Sequence, residues 1–164
     1  MHLQTQVIRS PIGDILLAFD AEVLRALDFL DHEDRMHHFL RLHYGKVTLS
    51  PGETSLSKEI EVYFEGDLVA LSRVPVQTGG TDFQRKVWDA LTKIQPGATK
   101  TYSEIAREIG HPTAIRAVGA ANGANPISLV IPCHRVIGAD GSLTGYGGGI
   151  HRKKWLLHHE SSRR

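Results

Sequence analysis

Cysteine is nearly absent: there is one in 164 residues. That excludes an internal disulfide framework and a cysteine-rich zinc site, and it fits a reducing compartment in which a thiol persists. Long apolar runs are missing too. The opening MHLQTQVIRSPIG holds no continuous apolar stretch of the kind a secretory signal needs, and no window approaches a membrane span. Internal repeats and low-complexity segments are likewise missing. Aromatic residues make up only 7%, but 41% of the chain is apolar, enough to bury a core in one domain or two small ones. Net charge is almost nil at +1, although its distribution is uneven. Residues 1–75 carry 7 Lys/Arg against 12 Asp/Glu, and residues 76–164 carry 12 against 6. An acidic front and a basic back suggest two modules, of which the basic one would meet a polyanion. Each half could equally carry a solvated face of its own sign.

The front module, residues 1–75, reads as mixed α/β. Residues 3–8 and 12–19 are strand-like around the turn signal Ser10-Pro11-Ile12-Gly13, which predicts a hairpin, and residues 23–30 are a third strand. Residues 32–44 and 55–64 read as helices, the second started by Ser55 or Ser57. PVQTGG, residues 75–80, is the candidate linker. Beyond it Thr81-Asp82-Phe83-Gln84 is a capping box, and Phe83, Val87, Leu91 and Ile94 line one helix face until Pro96-Gly97. A C-terminal helix is expected over residues 153–160, with residues 161–164 frayed.

Thr101-Tyr102-Ser103-Glu104 is a second capping box, opening a short helix that Gly110 would end in the left-handed C′ position. Pro112 suits the first position of a following helix, expected from about residue 112 to 122. Two short helices across a tight glycine turn match a helix-turn-helix, although an ordinary αα-hairpin gives the same pattern. The second helix is made of small residues, Ala114, Ala117, Gly119, Ala120 and Ala121, with Arg116 its one long cation. Small residues permit close approach to a sugar-phosphate backbone, and arginine is a common choice for entering a minor groove.

The lone cysteine sits in LVIPCHRVIG, residues 129–138. An ordinary thiol titrates near about 8.5 and needs a base or cation to become a thiolate. His134 is adjacent, but neighbours in an extended or helical chain diverge, so a direct hydrogen bond is awkward and a bridging water would serve. The histidine then needs a carboxylate to set its tautomer. Glu104, Glu108, Asp140 and Glu160 are all candidates, and spacing does not choose among them. A buried, inert thiol remains the alternative.

The residues Pro132-Cys133-His134-Arg135-Val136 resemble the PCHRV signature of the O6-alkylguanine-DNA alkyltransferases. FQRKVWDAL, TYSEIA, RAVGAANGANP, GSLTGYGGG and KKWLLHHE follow the same family's blocks in order and spacing across the whole basic half. The front half is more weakly similar to the family's ribonuclease H-like α/β domain. The resemblance implies an N-terminal α/β domain over residues 1–75. A mainly α domain, residues 76–164, would carry the helix-turn-helix and the active-site cysteine. It implies that an alkylated guanine is flipped out of duplex DNA and that Cys133 takes the alkyl group by direct displacement, once per molecule and without a cofactor. O4-alkylthymine is the expected second substrate.

By the same resemblance His134 is the base, acting through water, and Glu160 orients it. Asn125 stabilises the turn after the recognition helix. Tyr102 meets the lesion phosphate and offers its hydroxyl to the guanine, and Arg116 fills the gap left by the base. The helix-turn-helix is expected in the minor groove, with Thr113, Arg116, Ala117, Gly119, Ala120 and Arg135 as DNA contacts. Val136 offers its carbonyl to the guanine amino group, and Tyr146 and Gly147 lie in the closing loop, where a backbone N–H meets the guanine oxygen. Ser128 lines the pocket where some relatives carry proline, which bears on bulky aromatic adducts, whereas Gly148 leaves the entrance open. Some relatives have serine at the position of Gly147. No metal is carried over, since the zinc cysteines of some relatives have no counterpart here, and His37 and His38 read as surface residues. The chain is read as a cytoplasmic monomer, nucleoid-associated in a bacterium, that could bind cooperatively along DNA and meets no membrane. Two other classes stay open. A Cys-His-Glu hydrolase would turn over repeatedly on a small acyl substrate, and a lesion-sensing DNA binder would keep its thiol intact.

Overall fold

The apolar alternation at the start of the chain does fold back at Ser10. β1 (His2–Ile8) and β2 (Ile15–Asp20) are antiparallel, with Ile8 opposite Ile15 and Gln4 opposite Phe19. The Ser10 hydroxyl donates to the Gly13 carbonyl and accepts from the Ile12 N–H, which holds the turn. β3 (Val23–Phe29) returns antiparallel to β2 through Ala21 and Glu22, both left-handed at φ 49° and 62°. The Glu22 carboxylate steadies this turn by accepting from Thr54 Oγ1, Ser55 Oγ and the Ser55 N–H. A strand not expected from the sequence, β4 (Thr48–Pro51), lies parallel to β1 and completes the order β3-β2-β1-β4. It is four residues long with no apolar alternation, so it carries no strand signal of its own.

α1 (Glu33–Tyr44) packs Met36 and Leu40 onto Leu3, Leu16, Ala18 and Ala26 of the sheet. α2 (Leu56–Glu65) begins with the Thr54 hydroxyl accepting from the Leu56 N–H, because the Ser55 hydroxyl is spent on Glu22. The outer edge of β3 has backbone groups to satisfy, and two extended segments do so. Leu24 bridges Val76 and Leu27 bridges Ile127, with the Leu27 N–H on the Pro126 carbonyl at 3.1 Å and the Ser128 N–H on the Leu27 carbonyl at 3.1 Å. The first compact unit therefore comprises Met1–Gly79 and Pro126–Val130. A break after residue 75 separates residues 76–79 and 126–130 from the unit they fold with.

In the computed structural model, which describes residues 1–161, the second unit comprises Gly80–Asn125 and the chain from Ile131 onward. α3 (Asp82–Thr92) has the full reciprocal capping box of Thr81 and Gln84 and buries Val87, Trp88 and Leu91. The Trp88 indole N–H donates to the Ala121 carbonyl at 2.8 Å. β5 (Lys100–Thr101) leads into α4 (Tyr102–Glu108), whose Thr101–Glu104 box is also complete. Gly110 at φ 79° supplies the left-handed residue that lets the chain leave α4. α5 (Ile115–Gly123) starts three residues later than Pro112, because residues 111–114 form a turn closed by the Ala114 N–H on the His111 carbonyl. α5 packs on both α3 and α4. β6 (Val136–Ile137) pairs parallel to β5, and α6 (Ile150–Ser161) closes the unit. The fraying expected over residues 161–164 meets an ordered helical Ser161, and residues 162–164 lie outside those described. Among the described residues no helix is long and apolar enough to cross a membrane.

Candidate active site

Two tight turns deliver the thiol. Leu129 is left-handed at φ 74°, and the Val130 N–H reaches the Ser128 carbonyl across it at 2.8 Å. This γ-turn is costly for a residue with a Cβ. Pro132 forms a second, with the Cys133 N–H on the Ile131 carbonyl at 2.8 Å. Asn125 donates its amide to that same Ile131 carbonyl at 2.7 Å, tying the end of α5 to the entry of the cysteine. Cys133, His134 and Arg135 then make one turn of 3₁₀-helix, all three buried. Successive residues on such a turn diverge by about 120°, so the cysteine and histidine side chains leave it in different directions.

His134 and Arg135 both turn to one carboxylate. Glu160, on the last turn of α6, is 2.9 Å from His134 Nε2, and Arg135 donates Nε to its Oε1 at 2.9 Å and Nη2 to its Oε2 at 2.8 Å. The remaining Arg135 nitrogen donates to the Ile94 carbonyl at 2.7 Å. Burial pushes the Glu160 carboxyl up, but the neighbouring His134 and Arg135 overcome it and hold the group well below the usual carboxylate range. Burial pushes His134 down further than Glu160 lifts it, and Arg135 and Lys153 add to the fall. Glu160 is therefore the anion, Arg135 its cation and His134 a neutral imidazole. A neutral ring facing a carboxylate at Nε2 carries its proton there. Its Nδ1 is then a base, and it is buried without a hydrogen-bond partner.

The rest of the surroundings come from α6, α4 and the loop before α6. Lys153 is fully buried and donates to the Val136 and Thr144 carbonyls at 2.6 and 2.7 Å. The Tyr102 and Thr144 hydroxyls are 3.3 Å apart, and the Tyr146 ring meets His134 edge-on at 6.4 Å. Arg152 donates to the Gly148 carbonyl at 3.1 Å, fixing the loop to α6. A buried thiol next in the chain to a neutral, carboxylate-oriented imidazole has the makings of a nucleophile and a base that a water could join. No three His, Cys, Asp or Glu side chains among the described residues are grouped to hold a metal ion.

Residues 82–162 match the model of the 6-O-methylguanine DNA methyltransferase DNA-binding domain, and residues 3–78 match that of the same family's ribonuclease-like domain. The chain belongs to the 6-O-methylguanine DNA methyltransferase family. A methylated-DNA–protein-cysteine methyltransferase of Salmonella typhimurium is 46% identical over 98% of this chain and 96% of its own. One from Mycobacterium tuberculosis is 48% identical over 99% and 94%. Among solved structures, Mycobacterium tuberculosis OGT in complex with DNA is similar at a TM-score of 0.81 with 46% identity, covering 99% of this chain and 94% of that one. The methyltransferase of Pyrococcus kodakaraensis has a TM-score of 0.76 at 26% identity, covering 96% and 98%.

Within this methyltransferase fold the residues expected at the site divide into groups. Cys133, His134, Glu160, Asn125, Val136, Tyr102, Tyr146 and Gly148 all lie in the second unit, with the contacts given above. Gly147 is exposed in the loop between them. Thr113, Arg116, Ala117 and Ala120 are exposed on the turn before α5 or on α5 itself, with Gly119 half-buried. Ser128 is buried in the 126–130 segment of the first unit. Arg135 corrects the expectation of a DNA contact. Its side chain is buried, and its nitrogens are committed to Glu160 and Ile94, so its charge serves the site from within. Two residues were missed. Lys153 reads as one more basic residue in KKWLL, and only the fold shows it buried. Asn122 donates to the Cys133 carbonyl at 3.5 Å, and its Oδ1 is buried without a partner. An asparagine on a face of alanines and Val118 was the available signal.

Proposed function

We propose that this chain repairs O6-alkylguanine, and also O4-alkylthymine, in double-stranded DNA by irreversible transfer of the alkyl group to Cys133, one turnover per molecule. The observation that carries the proposal is the buried Glu160–His134 pair beside the chain's one thiol, with Arg135 neutralising the carboxylate. The names of the relatives describe the same chemistry, a protein cysteine methylated from DNA, and the Mycobacterium relative is crystallised on DNA.

The α5 helix would enter the minor groove, with Thr113, Ala117, Gly119 and Ala120 admitting the backbone and Arg116 filling the space of the flipped base. His134 Nδ1 would take the Cys133 proton through a water. The thiolate then attacks the alkyl carbon. An S–C bond forms as the C–O6 bond breaks, and the bonding pair goes to the guanine. A proton supplied by the Tyr102 hydroxyl, and restored from the imidazolium and solvent, leaves the base neutral. The Gly147 N–H would steady charge growing on the guanine oxygen. Val136 would accept from the guanine amino group, since its carbonyl has a second lone pair beside the one Lys153 uses. Tyr146 and Gly148 would shape the loop over the base, and Ser128 would set tolerance for adduct size. No cofactor or metal takes part, the protein works as a monomer, and the place of work is the cytoplasm.

Intact-protein mass spectrometry after mixing with a duplex containing one O6-methylguanine tests this. The expected gain is one methyl group and never more, absent in Cys133→Ala. An unchanged mass with DNA still bound would make the protein a lesion binder instead. Repeated turnover of an acyl ester would make it a hydrolase.

A further inference from the structure

The loop that the proposed mechanism sets over the base, residues 145–149, reads Gly-Tyr-Gly-Gly-Gly. Glycine has more backbone freedom to lose than any other residue, so a loop with four in five is costly to order. It keeps one shape only if its backbone is held from outside. Its last residue is held by local geometry. Gly149 turns at φ 101°, and a Cβ there would meet the His151 ring at 2.9 Å. The Gly149 N–H returns to the Tyr146 carbonyl at 2.8 Å, and the Gly149 carbonyl accepts the N–H groups of Arg152 and Lys153 that open α6. Between Tyr146 and Gly149 the grip comes from a side chain: Arg152 donates Nη1 to the Gly148 carbonyl at 3.1 Å.

Arg152 is poorly suited to its place by every local rule. It stands on the first turn of α6, where the positive end of the helix dipole disfavours a cation and no acidic residue offsets it. It is also only 7% exposed, and a charge taken out of water is costly unless hydrogen bonds compensate it. The place does explain its reach. Helical side chains lean toward the helix N-terminus, so one on the first turn lies over the segment just before it, and Gly148 is four residues back.

We infer that Arg152 is a positioning residue of the alkyl transfer: its hold on the Gly148 carbonyl keeps the glycine loop in the one shape that sets Tyr146 and the Gly147 N–H against the flipped base. This rests on the reading of Cys133 as the acceptor of an alkyl group from that base. Arg152 acts on the loop and leaves the ionisation of the thiol to His134 and Glu160. Its loss should therefore slow transfer within the bound complex, while duplex binding through α5 and the pH dependence of the reaction stay native.

The experiment compares the full-length native protein with Arg152→Met, which keeps the bulk and removes the donors. Amide hydrogen exchange over residues 143–150, followed by mass spectrometry without DNA, should quicken about tenfold, the lower end of what a hydrogen bond to a charged group supplies. Single-turnover methyl transfer from an O6-methylguanine duplex should fall by a similar factor at saturating duplex. The half-saturating duplex concentration and the shape of the rate profile from pH 6 to 9 should not move. Native exchange in the loop would mean that Arg152 does not hold it, and fast exchange with a native rate would mean that the loop needs no holding. Either overturns the inference. So does a raised half-saturation at the native limiting rate, which would make Arg152 a DNA contact, or a displaced pH profile, which would make it a partner of the thiol.

Should Arg152→Met fail to fold, Arg152→Lys keeps the charge and one donor but loses the planar fork. It should move loop exchange and limiting rate in the same direction, and a native value of either overturns the inference. Loop exchange is read without DNA. A native protein that takes no methyl group from the duplex, with the loop loosened in the variant, would therefore overturn the proposed function and not the hold of Arg152 on the loop.

Discussion

Glu160 is the residue on which the site's protonation pattern turns. It is the common acceptor of His134 and Arg135, and its negative charge fixes the imidazole proton on Nε2 and leaves Nδ1 unprotonated, as the proposed base requires. Glu160→Gln keeps the shape but loses the charge, so the imidazole is no longer held in that tautomer and Arg135 is left without its anion. Transfer from an O6-methylguanine duplex should slow at neutral pH by about 10²-fold, the scale of general-base help. Much of it should return at high pH, where the thiol ionises unaided, and DNA binding should be retained. Rates measured from pH 6 to 10 check this. A rate that stays equally low at pH 10 would mean that Glu160 holds the fold of the site rather than the relay.

At the scale of elements, α5 packs Val118, Ala121 and Asn122 inward, but the fold does not call for the glycine at position 119. A Cβ at Gly119 would meet nothing nearer than the Tyr102 ring at 3.9 Å, an ordinary contact. Glycine inside a helix costs about 0.5–1 kcal/mol relative to alanine, and nothing in the fold requires it here. The gain is an unobstructed helix surface. Gly119→Ala should therefore raise stability in urea by about that amount while weakening duplex binding. A stabilised variant with native DNA affinity would mean that this face stays away from the duplex. Elements of this kind were legible in the sequence because their signals are local: both capping boxes, Gly110 as a helix end, and the apolar faces of α1 and α3. Illegible were the features made by distant partners. β4 is a strand because β1 lies beside it, and residues 126–130 join the first unit because β3 has an open edge. Arg135 is expected on DNA from the resemblance, and a basic residue in a basic half gives no sign that a buried carboxylate will claim it. Glu160 could be chosen over Glu104, Glu108 and Asp140 only by family resemblance, since a separation of 26 residues between His134 and its partner carries no periodic signal.

For the molecule as a whole, the buried imidazole makes stability depend on pH in a calculable direction. In the unfolded chain His134 titrates near about 6.5. In the fold its value is lowered, first by burial and then by Arg135 and Lys153, with Glu160 opposing. As pH falls below the unfolded value, the unfolded chain takes up a proton that the folded chain refuses, so stability is lost as pH falls toward the folded value. His43, in the first unit, is lowered by burial and by His38 and acts in the same direction. Glu160, also lowered, stabilises the fold above the unfolded carboxylate range and loses that contribution only at still lower pH. Urea unfolding between pH 5 and 8 should show native stability falling toward pH 5, by at most about 1.4 kcal/mol per pH unit for each proton. His134→Asn and His43→Asn should each flatten the slope, His134→Asn more, because its ring is fully buried and that of His43 is not. If His134→Asn keeps the native slope, His134 is charged in the fold. The pair with Glu160 would then be an ion pair, and the base for the thiol would have to be sought elsewhere.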